Sequence, residues 1–156
     1  MESRRDARYR LRLAEGFLRE AEQDCELGRW RSVVDNSQLA VENAAKAVLA
    51  STQPVPRVHD PGRLLRQALA QGRFAEQVAQ QVEELATCAE LLGPDVHIQT
   101  DYGDETGGRT PWELFDESEA QEALALARRA AELARDLIGP DNGSAQTQTP
   151  REEDAA

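Results

Sequence analysis

Aromatic residues are nearly missing from this chain, with two Trp, two Tyr and three Phe among 156 residues. β-Branched residues are sparse as well, while Ala, Leu, Glu, Arg and Gln dominate. A pleated core needs what is scarce and helices favour what is abundant, so the expected class is all-α. Cysteine is limited to Cys25 and Cys88, with no Cys-x-x-Cys spacing and no nearby His. That argues against a metal site or a structural disulfide and for two reduced thiols half-buried on helices. No apolar run approaches the roughly 18 residues of a bilayer span, and Met1-Glu2-Ser3-Arg4-Arg5 leads into a helical pattern, not an apolar signal core. A cytoplasmic protein without membrane contact is expected.

Positive charge is also in deficit. The net charge of −11 opposes broad, sequence-independent binding to nucleic acid, which relies on clustered Lys and Arg. Arg4, Arg5, Arg8, Arg10 and Arg12 crowd the first helical stretch, but Glu15 and Arg19 continue it as the mixed pattern of a solvated face. Residues 140–156 hold four acids and one Arg and lack apolar side chains to bury, so they read as a disordered acidic tail. Residues 1–139 are left as one domain, long enough to bury a sizeable core.

What is present is helical periodicity. From Trp30 to Leu49 the residues Trp30, Val33, Val34, Ser37, Val41, Ala44, Ala45, Val48 and Leu49 recur at three- and four-residue steps along one stripe. Asp35, Asn36, Gln38, Glu42 and Lys46 fall off it. Small residues on the stripe let a neighbour approach closely, so this segment is the expected central helix. Before it, a helix from about Arg4 to Leu27 carries an apolar face of Tyr9, Leu13, Phe17 and Ala21, with Leu11, Ala14, Leu18 and Cys25 beside them, and Gly28 ends it in a tight hairpin. After it, Gln53–Pro56 is extended. Asp60-Pro61 then opens a short helix that ends near Ala70. A fourth helix is expected over about Phe74 to Leu92, stopped by Gly93-Pro94. Residues 95–117 break the pattern and read as an irregular loop. Either that loop is functional, or Ile98, Tyr102, Trp112 and Phe115 plug the end of the bundle while the rest wraps the surface. Ser118 is the expected cap of a final helix that ends at Gly139-Pro140. The architecture implied is an antiparallel up-down bundle of four or five helices.

Residues able to carry chemistry are few. There is no Gly-rich phosphate loop, no paired-His metal motif and no nucleophile elbow. No metal or cofactor is therefore expected. Glu42 and Lys46 stand at i and i+4 in the favourable order for a helix ion pair. His59, beside Asp60, reads as a loop anchor. His97 is the better functional candidate, because it lies near Asp101 and Tyr102 in the irregular loop, where a carboxylate could set its tautomer.

In the order of its features the chain resembles the HEPN domain family. The residues that carry the likeness are Leu18, Ala21, Cys25, Gly28 and Trp30, then the segment Gln38 to Leu49 with Val41-Glu42 and Lys46-Ala47, then Val58-His59-Asp60 before Leu64-Leu65. Asp101-Tyr102-Gly103, Pro111-Trp112-Glu113 and the Ala-rich last helix add to it. The resemblance implies a helical bundle that dimerises. It also implies a ribonuclease toxin, or a module that works with a minimal nucleotidyltransferase as antitoxin. In the nuclease branch an Arg precedes the catalytic His by four to six residues. Here those positions hold Pro54, Gln53 and Thr52 before His59, and Leu92, Leu91 and Glu90 before His97. The family's late Arg-Tyr pair appears as Asp101-Tyr102, and Gln99 stands two residues after His97, where toxin pairs carry an acceptor Tyr.

The expected function is accordingly a non-catalytic helical interaction module, a homodimer that works with a nucleotidyltransferase or binds another protein, a nucleotide or RNA. The alternative is a ribonuclease toxin of a toxin–antitoxin pair with a divergent catalytic site at His97, assisted by Tyr102 and Arg109.

Overall fold

Helix α2, Trp30–Ala50, lies at the centre of the structure, a computed structural model whose described residues are 2–140. The expected tail, beyond Pro140, lies outside the described residues. Every residue from Ala40 to Ala50 is buried. Around α2 stand α1 (Glu2–Glu26), α3 (Pro61–Ala70), a 3₁₀ turn (Glu76–Val78), α4 (Ala79–Leu91), α5 (Pro94–Tyr102), the short α6 (Pro111–Leu114) and α7 (Glu117–Ile138). Among the described residues the only strand-like pairing is one isolated bridge, and the fold is the all-α bundle expected.

The helices meet through alanine. On α1 the buried residues are Ala7, Leu11, Ala14, Leu18 and Ala21, alternating steps of four and three. On α7, Ala120, Ala123, Ala127, Ala130, Ala131 and Ala134 face inward with Leu124 and Leu133. Such small side chains let the backbones of α1 and α7 close on α2, so contact area comes from proximity rather than bulk. The turn between α1 and α2 is a Schellman cap. Gly28, at φ 69°, donates its N–H to the Cys25 carbonyl, and Arg29 donates to the Asp24 carbonyl at 2.9 Å. Arg128–Glu22 at 3.4 Å and Arg135–Glu15 at 3.0 Å show α7 running opposite to α1. These half-exposed pairs set register and add at most about 1 kcal/mol each.

Several sequence expectations need correction. On α1 the expected Leu11, Ala14, Leu18 and Ala21 are buried, but the stripe continues through Ala7 and leaves Tyr9 52% exposed. Phe74 and Val78 are only half-buried, and the α-helical part of the fourth helix begins at Ala79. Gly93-Pro94 stops the fourth helix as expected, α4 ending at Leu91, and Pro94 also opens a further helix that was not expected. Proline costs nothing at a first helical position, since its missing N–H would have no partner there. The stretch 95–117 therefore holds α5, a tight turn and α6. Asp116 rather than Ser118 caps α7, its Oδ1 accepting the Glu119 N–H at 3.0 Å. Of the four expected plugs only Phe115 is buried; Ile98, Tyr102 and Trp112 are 54%, 65% and 73% exposed.

Burial of Val41 at 0% exposure sets a test of the architecture. Val41→Asp places an unpaired charge among alanines and is expected to cost about 3 kcal/mol or more in a urea melt. Tyr9→Asp, on the outer face of α1, should cost less than about 1 kcal/mol.

Candidate functional site

The side of α2 away from the apolar stripe carries Arg31, Asp35, Gln38, Glu42 and Lys46, spaced by four, three, four and four residues. That spacing places all five on one helical face. In the fold α5 and the 51–60 segment cover it. Arg31 Nε donates to the Thr100 carbonyl at 2.6 Å and Arg31 Nη2 to Asp101 Oδ1 at 3.3 Å. The buried Thr100 hydroxyl lies 3.2 Å from Asp35 Oδ1. These contacts fasten the C-terminal end of α5 to the first half of α2.

Further along the stripe the two histidines come together. Their rings stack with centroids 5.1 Å apart and planes 17° from parallel. His97 Nδ1 lies 3.2 Å from Gln38 Oε1, and His59 Nδ1 lies 3.1 Å from Glu42 Oε1. Both partners are acceptors, so each Nδ1 carries a hydrogen and donates it to α2. The Gln38 amide nitrogen points to Glu42 Oε1 at 3.5 Å, consistent with its oxygen facing His97. Lys46 Nζ donates to Glu42 Oε2 at 3.3 Å. Glu42 and Lys46 side chains are only 6% and 11% exposed, whereas that of His59 is 63% exposed.

This arrangement orients two stacked imidazoles from α2, one of them open to solvent, and either could serve as acid or base toward a bound group. It is less suited to holding phosphate, because Lys46, the cation within it, is already spent on Glu42. Among the described residues no group of three or more His, Cys, Asp or Glu side chains could hold a metal ion. The acceptor for His97 is Gln38 rather than the expected Asp101, whose carboxylate goes to Arg31. His59, Gln38 and Glu42 belong to the same cluster as His97. The signal available in the sequence was the helical spacing of the polar stripe itself.

Tyr102 and Arg109 are not brought to His97 by any hydrogen bond or ring contact among the described residues. Tyr102 lies five positions along α5, about 140° around the axis. It lines a separate hollow of about 330 Å³ with Ile98, Asp104, Glu105 and Leu114. Arg109 donates to the Glu113 carbonyl at 3.2 Å. Between Tyr102 and Arg109 the chain reverses at Gly103, φ 71°, where an added Cβ would collide with the Arg109 carbonyl oxygen. Asp104 and Arg109 exchange backbone hydrogen bonds at 2.8 and 2.9 Å. Close by, burial and then the neighbouring Asp116 push the Glu119 carboxyl above its ordinary range. Elsewhere, burial pushes the Cys88 thiol up, so it stays protonated and unreactive at neutral pH.

A family model described as HEPN domain matches residues 7–137. Among solved structures, the protein TT1696 from Thermus thermophilus is similar, with 24% identity and a TM-score of 0.63 over 84% of this chain and 97% of that one. At that identity the likeness concerns the fold. No curated protein matches the chain. Among the described residues no helix is long and apolar enough to cross a membrane.

The Glu42–Lys46 pair gives a second test. Glu42→Leu would strand a buried ammonium and is expected to cost about 3–5 kcal/mol in chemical denaturation. Adding Lys46→Met should recover most of that loss. A single variant as stable as the native chain would show that the charges are not buried together.

Proposed function

This chain belongs to the HEPN domain family, and on that footing we propose that it acts as a non-catalytic helical interaction module, a homodimer that works with a nucleotidyltransferase partner. The observation that carries this reading is the outward position of Ile98, Tyr102 and Trp112 on adjoining helices α5 and α6. Single exposed apolar residues are ordinary, but Ile98 and Tyr102 share one hollow and Trp112 lines another on the adjoining helix, which favours surface that another molecule covers. The absence of a family-type Arg before either His, and the engagement of Lys46 by Glu42, support a role without catalysis.

One observation favours the alternative, a ribonuclease toxin with its site at His97. Two imidazoles stacked at 5.1 Å could divide acid and base roles on a phosphodiester, with Tyr102 and Arg109 recruited by a second copy. The cleft would then need cations from elsewhere, since Asp101, Asp104 and Glu105 oppose an RNA backbone by roughly 1 kcal/mol per close pair.

Sedimentation at micromolar concentration should give twice the 17.3 kDa chain mass; a monomer at every accessible concentration would remove the homodimer. Purified protein is expected to leave structured and unstructured RNA intact at neutral pH. Cutting that His97→Ala abolishes would replace the module reading with the toxin reading.

A further inference from the structure

We propose that the face built by α5, the 103–110 turn and α6 docks a cationic amphipathic segment of another protein, one that offers an apolar side chain flanked by Lys or Arg; this deepens, and rests on, the interaction-module reading. The apolar part is the hollow floored by Ile98, Tyr102 and Leu114. Ile98 and Tyr102 are one turn apart on α5, so they present a continuous strip. Asp104 and Glu105 line the same hollow and Asp101 stands beside it. From Pro94 to Glu117 seven carboxylates face one cation, Arg109.

A second hollow, lined by Arg31, Trp112 and Phe115 and joined to α5 through Asp101, already holds one guanidinium. Arg31 lies over the Trp112 ring, 5.9 Å from its centroid, and pairs with Asp101 at 3.3 Å. Ring and carboxylate together make a seat for arginine. Trp112 remains 73% exposed, so most of its ring is free for a partner.

Charge decides between occupants. A second copy docked here about a two-fold axis would set this acidic rim against itself. Residues 141–156, with four acids and one Arg, would meet the same repulsion, and so would a nucleic-acid backbone. A cationic segment answers the rim and the apolar floor together. The homodimer must then use another surface.

The probe is a labelled synthetic peptide of Leu and Arg in amphipathic order, titrated by fluorescence anisotropy at physiological ionic strength beside a counterpart with Glu in place of Arg. The Arg peptide should bind and the Glu peptide should not. Asp104→Asn with Glu105→Gln should weaken binding at least tenfold. Ile98→Ala with Tyr102→Ala, which leaves charge unchanged, should do the same. Glu20→Gln with Glu76→Gln, an equal charge change on other exposed surface, should leave binding unaltered. Equal binding by all variants would reveal general attraction to an acidic protein and overturn the proposal, as would no binding at all. A fall from dimer to monomer in the Ile98→Ala/Tyr102→Ala protein would overturn it in favour of a second copy. Retention of a co-expressed nucleotidyltransferase by that double variant would overturn this face and leave the module reading standing. Peptide binding that follows the expected pattern in a chain that retains no nucleotidyltransferase would support the face and remove that partner.

Discussion

The whole structure depends on covering α2 from every side. Its apolar stripe is met by the alanine faces of α1 and α7, which close tightly because little side chain stands between the backbones. Its polar stripe cannot be left bare either, because burial of Glu42 and Lys46 requires each to find the other and the remaining lone pairs to find donors. The layer over that stripe is therefore polar, and α5 and the 51–60 segment supply it. The histidine cluster is a consequence of this constraint before it is anything else.

Much of the fold could be read in the sequence because alanine spacing and helix stops are local signals. The hairpin between α1 and α2, the Asp60-Pro61 start and the end at Gly139 needed only neighbouring residues. Errors arose where one local signal admits two outcomes. Gly93-Pro94 both follows the end of α4 and begins α5, and a hydrogen bond from Thr100 to Asp35 helps hold the new helix on α2. The same ambiguity hid α5 and thereby the site. His97 was legible as a candidate, but its partners, Gln38 and His59, are 59 and 38 positions away. No periodicity connects residues so distant; their meeting depends on where α5 lands. The polar stripe on α2 is visible as spacing, but spacing alone does not tell which later segment covers it.

Two sides of α5 thus serve different ends. The inner side, through Thr100 and His97, completes the polar covering of α2. The outer side, through Ile98 and Tyr102, presents apolar surface that its own core does not take up. The sharp reversal at Gly103 brings the Asp104 carboxylate onto that outer side and returns the chain to α6. Membership of the HEPN domain family accounts for the bundle, while the acidic rim is read from this chain's own residues.

The attachment of α5 has a dynamic consequence. Thr100 is its only buried residue, so little apolar area beyond Val96 holds it down. Its hold on α2 is a short series of hydrogen bonds, one donated by Arg31 and others accepted by Asp35 and Gln38. Water can replace such bonds one by one, whereas it cannot replace the alanine contacts of α1 and α7 without opening the core. The backbone amides of α5 therefore belong to a cooperative unit that exchanges hydrogen well ahead of α2. A molecule seated on its outer side would add the apolar contact that the inner side lacks, making order in α5 part of recognition.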